Sequence, residues 1–139
     1  MIVLDTNVLS ELMRPKPSSR LSNWISERRE RSFATTTITV MEVVYGLARL
    51  PNGRRREDLQ ARFVSLIDGT EGLRVLELDR EGAGLAGALK ARREELGRPA
   101  AQADMMIAGI CRARGTALAT RNLKDFEETG LELINPFEH

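Results

Sequence analysis

Short runs of aliphatic and β-branched residues recur along this chain, separated by stretches long enough to be helices. IVLD at 2–5, SFATT at 32–36, RVLEL at 74–78, TALAT at 116–120 and LELIN at 131–135 each have the length of a strand. Strands that alternate with helical segments at this spacing pack most simply as a parallel sheet covered on both faces. The expected fold is therefore α/β, with three layers and a mainly parallel central sheet of about five strands.

Helix signals fill the intervals. Thr6 and Asn7 start a helix directly after the first strand, and Pro15 and Pro17 end it. Ser18 or Ser19 caps a second, whose narrow stripe of Leu21, Trp24, Ile25 and Arg28 reaches to about Arg29. Thr39 is the expected cap of a third running to about Leu50, with Val40, Val43, Val44 and Leu47 on one side and Glu42 on another. A fourth spans about Arg55 to Ile67. Asp79 caps a long fifth helix to Leu96, AAQADMMIAGICRAR forms a sixth that stops at Gly115, and Asn122 to Glu128 is a short helical piece. Neither a repeat nor a linker interrupts the pattern, and a chain of 139 residues with 42% hydrophobic content suits one domain over 1–139.

Three carboxylates stand out against this background. Asp5 in MIVLDTNVLS, Glu42 in FATTTITVMEVVYGLA and Asp104 in PAAQADMMIAGIC are each the sole charge in a long neutral window, although 29% of the chain is charged. Burying an unpaired carboxylate costs several kcal/mol, roughly, so acids in such places are paired or bind a cation. Sites in open parallel sheets form beyond the carboxyl ends of the strands, where Asp5 ends strand one. The helices bearing Glu42 and Asp104 can each direct an acid toward the same edge. A fourth acid, Asp125, follows strand four in ATRNLKDF, with Asn122 nearer the strand end. Oxygen ligands without His or Cys suit magnesium or manganese, and such ions activate water and stabilise charge on phosphate.

Composition removes several alternatives. Lys and Arg number 21 against 20 Asp and Glu, so no global field advertises nucleic acid or membrane, and the run Arg54, Arg55, Arg56 is only a local basic feature. One cysteine, Cys111, rules out an internal disulfide, and no Cys/His cluster offers a zinc site. The opening residues lack the features of a signal peptide, and no apolar stretch approaches the roughly 20 residues of a membrane span. A cytoplasmic protein with no membrane partner is expected.

Four segments in order, DTNVLSEL from Asp5, TITVMEVVYG around Glu42, DMMIAGICRARG from Asp104 and LATRNLKDF ending at Phe126, make the chain resemble the PIN-domain ribonucleases. Within them it is similar to the VapC and FitB type toxins of bacterial toxin–antitoxin pairs, over nearly its whole length. The resemblance implies a magnesium- or manganese-dependent endoribonuclease cutting transfer RNA or other structured RNA, with Asp5, Glu42 and Asp104 holding the metal. It implies a fourth, less regular position, which here is Asp125, Asn122 through a water, or neither. It also implies a cognate antitoxin, a homodimer, and a larger complex that binds operator DNA through the antitoxin.

Each candidate also has a plainer reading. Asp5 is a natural helix cap, Glu42 a solvated helix residue, and Asp104 a cap of a helix starting late. Asp125 lies among Arg121, Lys124, Glu127 and Glu128, where a surface salt bridge is expected. Thr6 and Thr120 are supporting candidates for a bound water or phosphate, and either can instead satisfy nearby backbone. Arg121 and the 54–56 run are phosphate-contact candidates or solvated charges. Cys111 and Trp24 read as packing, and His139 as a terminal residue without a role. Two other functions compete: a small-molecule phosphohydrolase with Asp5 as nucleophile, which lacks the usual second Asp two residues on because Asn7 stands there, and a partner-binding acidic pocket without catalysis.

Overall fold

In a computed structural model that describes residues 1–28, 31–69 and 72–138, five parallel strands form one sheet in the order β3-β2-β1-β4-β5. The strands are β1 (Ile2–Leu4), β2 (Phe33–Thr36), β3 (Arg74–Leu76), β4 (Ala117–Ala119) and β5 (Leu133–Ile134). The helices are α1 (Thr6–Leu12), α2 (Ser19–Ser26), α3 (Thr37–Ala48), α4 (Arg54–Asp68), α5 (Arg80–Glu95) and α6 (Gln102–Arg114). β1 lies at the centre: Ile2 is in register with Phe33 on one side and Ala117 on the other.

Side chains alternate across the strands and divide the core in two. Val3, Ala34 and Leu118 pack with Leu89, Ile107 and Cys111 in the layer made by α5 and α6. Ile2, Leu4, Ala117 and Ala119 pack with Val8, Leu21 and Trp24 in the layer made by α1 and α2. The Trp24 ring meets Phe33 edge to face at 5.7 Å, and the Arg28 guanidinium covers it at 4.8 Å. A third cluster, Leu9, Met13, Val43 and Phe63, ties α1 to α3 and α4. Each large apolar side chain so buried stabilises the fold by roughly 1.5–3 kcal/mol. Cys111 and Trp24 are packing residues, and burial pushes the Cys111 thiol up to about 12, which leaves it inert.

The boundaries differ from expectation where strand passes into helix without a loop. β1 ends at Leu4, and α1 begins at Thr6 with Asp5 as its cap. α3 is capped by Thr36 rather than Thr39: β2 runs straight into the helix, and Thr36 Oγ1 accepts the Thr39 N–H at 3.1 Å. α3 closes at Ala48, and Val44 on it is 51% exposed instead of lining the core with Val43. Ser18 caps α2, whose expected end near Arg29 and the terminal His139 fall outside the described residues; the helix closes at Ser26. The piece from Asn122 to Glu128 is a 3-10 turn over Leu123–Phe126.

α5 and α6 approach until backbone meets backbone. A Cβ on Gly109 would overlap the Gly82 carbonyl oxygen and stand 2.9 Å from the Ala86 nitrogen, so only glycine permits the contact. Asp79, whose Oδ1 accepts the Gly82 N–H at 2.8 Å, fixes the start of α5 beside it. Gly109→Ala is expected to destabilise the protein by about 1–3 kcal/mol or more through overpacking. Gly84→Ala, at a helical position with open space around it, should instead stabilise by about 0.4–1 kcal/mol. Urea unfolding midpoints of the two variants would separate these opposite signs.

Candidate active site

Asp5 stands where β1 turns into α1. Its backbone N–H donates to Ala119 O at 3.0 Å, which locks the turn to the end of the neighbouring β4. One carboxylate oxygen accepts the Thr6 N–H at 2.6 Å; the other accepts Thr120 Oγ1 at 2.8 Å and Asn7 Nδ2 at 3.2 Å. Asp5 is therefore both a cap and a buried acid, only 4% exposed. Burial raises its pKa, the Thr120 and Thr6 hydrogen bonds pull it down, and the charges of Glu42 and Asp125 push it up again.

Glu42 comes from the first half of α3, which Thr36 starts at the end of β2. Its Oε1 accepts Thr6 Oγ1 at 2.7 Å, and that hydroxyl lies 3.1 Å from the hydroxyl of Thr39. The plain reading of a solvated glutamate does not hold: the side chain is half-buried and tied to the residue after Asp5. Asp104 lies in the first turn of α6, whose cap is Ala101, so it is not a capping residue either. Burial and the charges of Asp5, Asp125 and Glu42 push its carboxyl up to about 7, against a smaller downward pull from Arg93.

The four acids line one open cavity of about 650 Å³, together with Thr6, Asn122 and Arg121. Thr120 acts from behind it, fully buried, donating to Asp5 and accepting the Asn122 N–H at 3.1 Å. The expected salt bridge of Asp125 is not formed among the described residues. The 3-10 turn presents its exposed side chain to the cavity, while its carbonyl oxygen accepts Arg93 Nη1 at 2.9 Å. Arg56, from the 54–56 run, donates to Asn52 Oδ1 at 2.8 Å and supports the turn before α4.

Several residues of the cavity carry signals that the reading of isolated acids passes over. Asn7, Ser10 and Glu11 line it from one face of α1, and Arg14 from the turn just after that helix. Asn7 links the two strand ends, donating to Asp5 and accepting the Arg121 N–H at 3.2 Å. Arg93 sits in the charged run Arg92–Glu95, which resembles a solvated face. It is only 5% exposed and donates to the carbonyls of Arg98, Asp125 and Glu127.

The donor set is all oxygen, as a hard divalent cation requires. Burial first, and then the neighbouring acids, raise the pKa of Asp5 and of Asp104, so a cation at the acidic floor would be favoured. Among the described residues no three acids are clustered closely enough to grip one ion directly. In ligand type the residues fit magnesium or manganese, and Asp5, Glu42 and Asp104 are the acids that would hold it.

A model of the PIN domain matches residues 2–131. The VapC ribonuclease Y4jK of Sinorhizobium fredii is 37% identical over 99% of both chains, and the tRNA(fMet)-specific endonuclease VapC of Shigella flexneri is 32% identical over 92% of this chain and 91% of its own. The solved structure of FitAB bound to a DNA fragment superposes with a TM-score of 0.86 at 31% identity, covering 99% of this chain and 96% of that one. Sequence and fold agree: this chain belongs to the PIN-domain family, alongside its VapC and FitB type toxins.

Proposed function

We propose that this protein is the toxin of a toxin–antitoxin pair, an endoribonuclease that hydrolyses phosphodiester bonds with magnesium or manganese held by Asp5, Glu42 and Asp104. The observation that carries this is the convergence of Asp5 from the end of β1, Glu42 from α3 and Asp104 from α6 on one cavity, where burial and neighbouring acids raise the pKa of Asp5 and Asp104. The ribonuclease names of its relatives support the reaction, and the transfer-RNA specificity printed for one of them supports that substrate class. The single domain over 1–139 and a cytoplasmic setting belong to the same reading; no helix among the described residues is long and apolar enough to cross a membrane.

When bound, the metal supplies an activated water and offsets charge developing on the phosphate. The chain's own residues do the positioning. Thr120, Thr6 and Asn7 orient Asp5, Thr6 orients Glu42, and the Gly82–Gly109 contact sets α6 and hence Asp104. Asp125, with Asn122 on the same loop, is the candidate fourth acid, carried to the cavity by a turn that Arg93 holds. No protein nucleophile is required, so the small-molecule phosphohydrolase with an aspartyl intermediate is the weaker reading. A pocket that only receives a basic antitoxin segment is compatible with the same acids, and cleavage decides between them. The FitAB complex on DNA supports an antitoxin partner and operator binding through it. Exposed Met41, Val44 and Tyr45 on α3 support a homodimer.

Purified protein with magnesium or manganese should cleave RNA, and chelation should stop it. Asp5→Asn, Glu42→Gln and Asp104→Asn should each lower kcat/KM by about a hundredfold or more. RNA that stays intact under either metal would favour the binding-pocket reading.

The same acids couple stability to pH. An unfolded Asp104 loses its proton near 3.8, whereas the folded one keeps it to about 7. Between these values the native state holds the extra proton, so metal-free protein should lose stability as pH rises through that window, with Asp5 acting in the same direction. Urea midpoints compared at about pH 5 and about pH 8 should fall for the wild type and fall less for Asp104→Asn. Magnesium should restore more stability at the higher pH, where no proton has to leave.

A further inference from the structure

The cavity has two unlike halves. Its floor is acidic, but at the far end of α1 two cations, Arg14 and Arg121, face one buried carboxylate, Glu11. The Glu11 side chain is 10% exposed, with Oε1 at 3.3 Å from Arg14 Nη1 and 4.0 Å from Arg121 Nη2. Its Oε2 accepts the Ser18 N–H at 2.9 Å, which anchors it to the start of α2. Arg121 is braced further, its guanidinium lying 3.8 Å from the Phe137 ring centre. One arginine would neutralise Glu11; two leave this end of the cavity with a net positive charge.

Stability does not account for the second arginine. The Arg14 and Arg121 side chains are 66% and 52% exposed, and ion pairs of that exposure contribute about 0–1 kcal/mol. Each guanidinium has five N–H donors in a rigid fork, and among the described residues its side-chain oxygen partner is Glu11 Oε1 alone, so most donors are left for a ligand. Asn7, Ser10 and Glu11 follow one face of α1 and Arg14 lies in the turn just after it, giving a polar track from the acids to this rim.

We propose that Arg14 and Arg121, prearranged by Glu11 and Phe137, form a phosphate-binding rim that seats an RNA phosphate flanking the one presented to the acids. This rests on the ribonuclease reading and adds a direction to it: the RNA backbone would leave the acidic floor along α1. The rim binds substrate and takes no part in bond breaking.

The test uses full-length protein, with a transfer-RNA mixture as the substrate whose cleavage is followed and a short unstructured oligoribonucleotide as the binding probe. Arg14→Gln and Arg121→Gln should each raise KM several-fold with kcat within about twofold. In the Asp104→Asn background, binding followed by anisotropy should lose about 0.7 from the slope of log K against log salt for each arginine removed, and the double variant about twice that. Arg121→Lys should retain the slope because it retains the charge. Lys90→Gln, which removes an exposed charge on α5 that does not line the cavity, should behave as wild type. Rim variants that match wild type in KM and slope, while wild type cleaves, would overturn the rim and leave the ribonuclease reading standing. Failure of wild type to cleave would overturn that reading; rim-dependent binding would then still support the rim, and its absence would remove both.

Discussion

Everything at the site depends on β1 being the central strand. Paired in parallel with β2 on one side and β4 on the other, it brings three strand ends to one edge. Each end delivers a different element: Asp5 and α1 from β1, Thr36 and α3 from β2, Thr120 and the loop of Asn122 from β4. The hydrogen bond from Asp5 N–H to Ala119 O and that from Thr35 Oγ1 to Leu4 O at 3.1 Å stitch these ends together. Residues more than a hundred positions apart in sequence, such as Asp5 and Thr120, thereby become hydrogen-bonded partners.

The cluster is held in an electrostatically unfavourable state by hydroxyls and backbone rather than by cations. Thr6 and Thr120 hydrogen-bond the carboxylate oxygens without neutralising them, which keeps Asp5 and Glu42 oriented, and Thr39 meets the Thr6 hydroxyl from behind. The buried cation beside the site, Arg93, directs its donors to three carbonyl oxygens of the neighbouring loops. It lowers the cost of charge on Asp104 only at a distance. A direct arginine partner would have quenched the cavity. Preorganised acids without compensation are what a divalent ion, or any other cationic ligand, would exploit.

The parallel α/β arrangement was legible because strand and helix periods alternate cleanly, and the acids because each interrupts a neutral window. Thr36 closes β2 as expected but also caps α3 in place of Thr39, since two threonines three apart serve the cap equally well until the strand end is known. Asp125 lies among charged sequence neighbours, yet its side chain lines the cavity and forms no salt bridge among the described residues. Arg93 had no legible signal, because its burial depends on how the loop after β4 folds back on α5. Glu11 and Arg14 did carry one, a helical spacing from Asn7, but charge that recurs on a short helix ordinarily means a solvated face.

The edges of the sheet bear on how the molecule behaves at high concentration. β3 has three residues and β5 has two, so neither offers another chain much of a ladder to extend. Self-association through strands is thereby discouraged at both ends of the sheet. Contact between copies would fall to helix surfaces, where shape and side-chain chemistry discriminate among partners far better than an open backbone does.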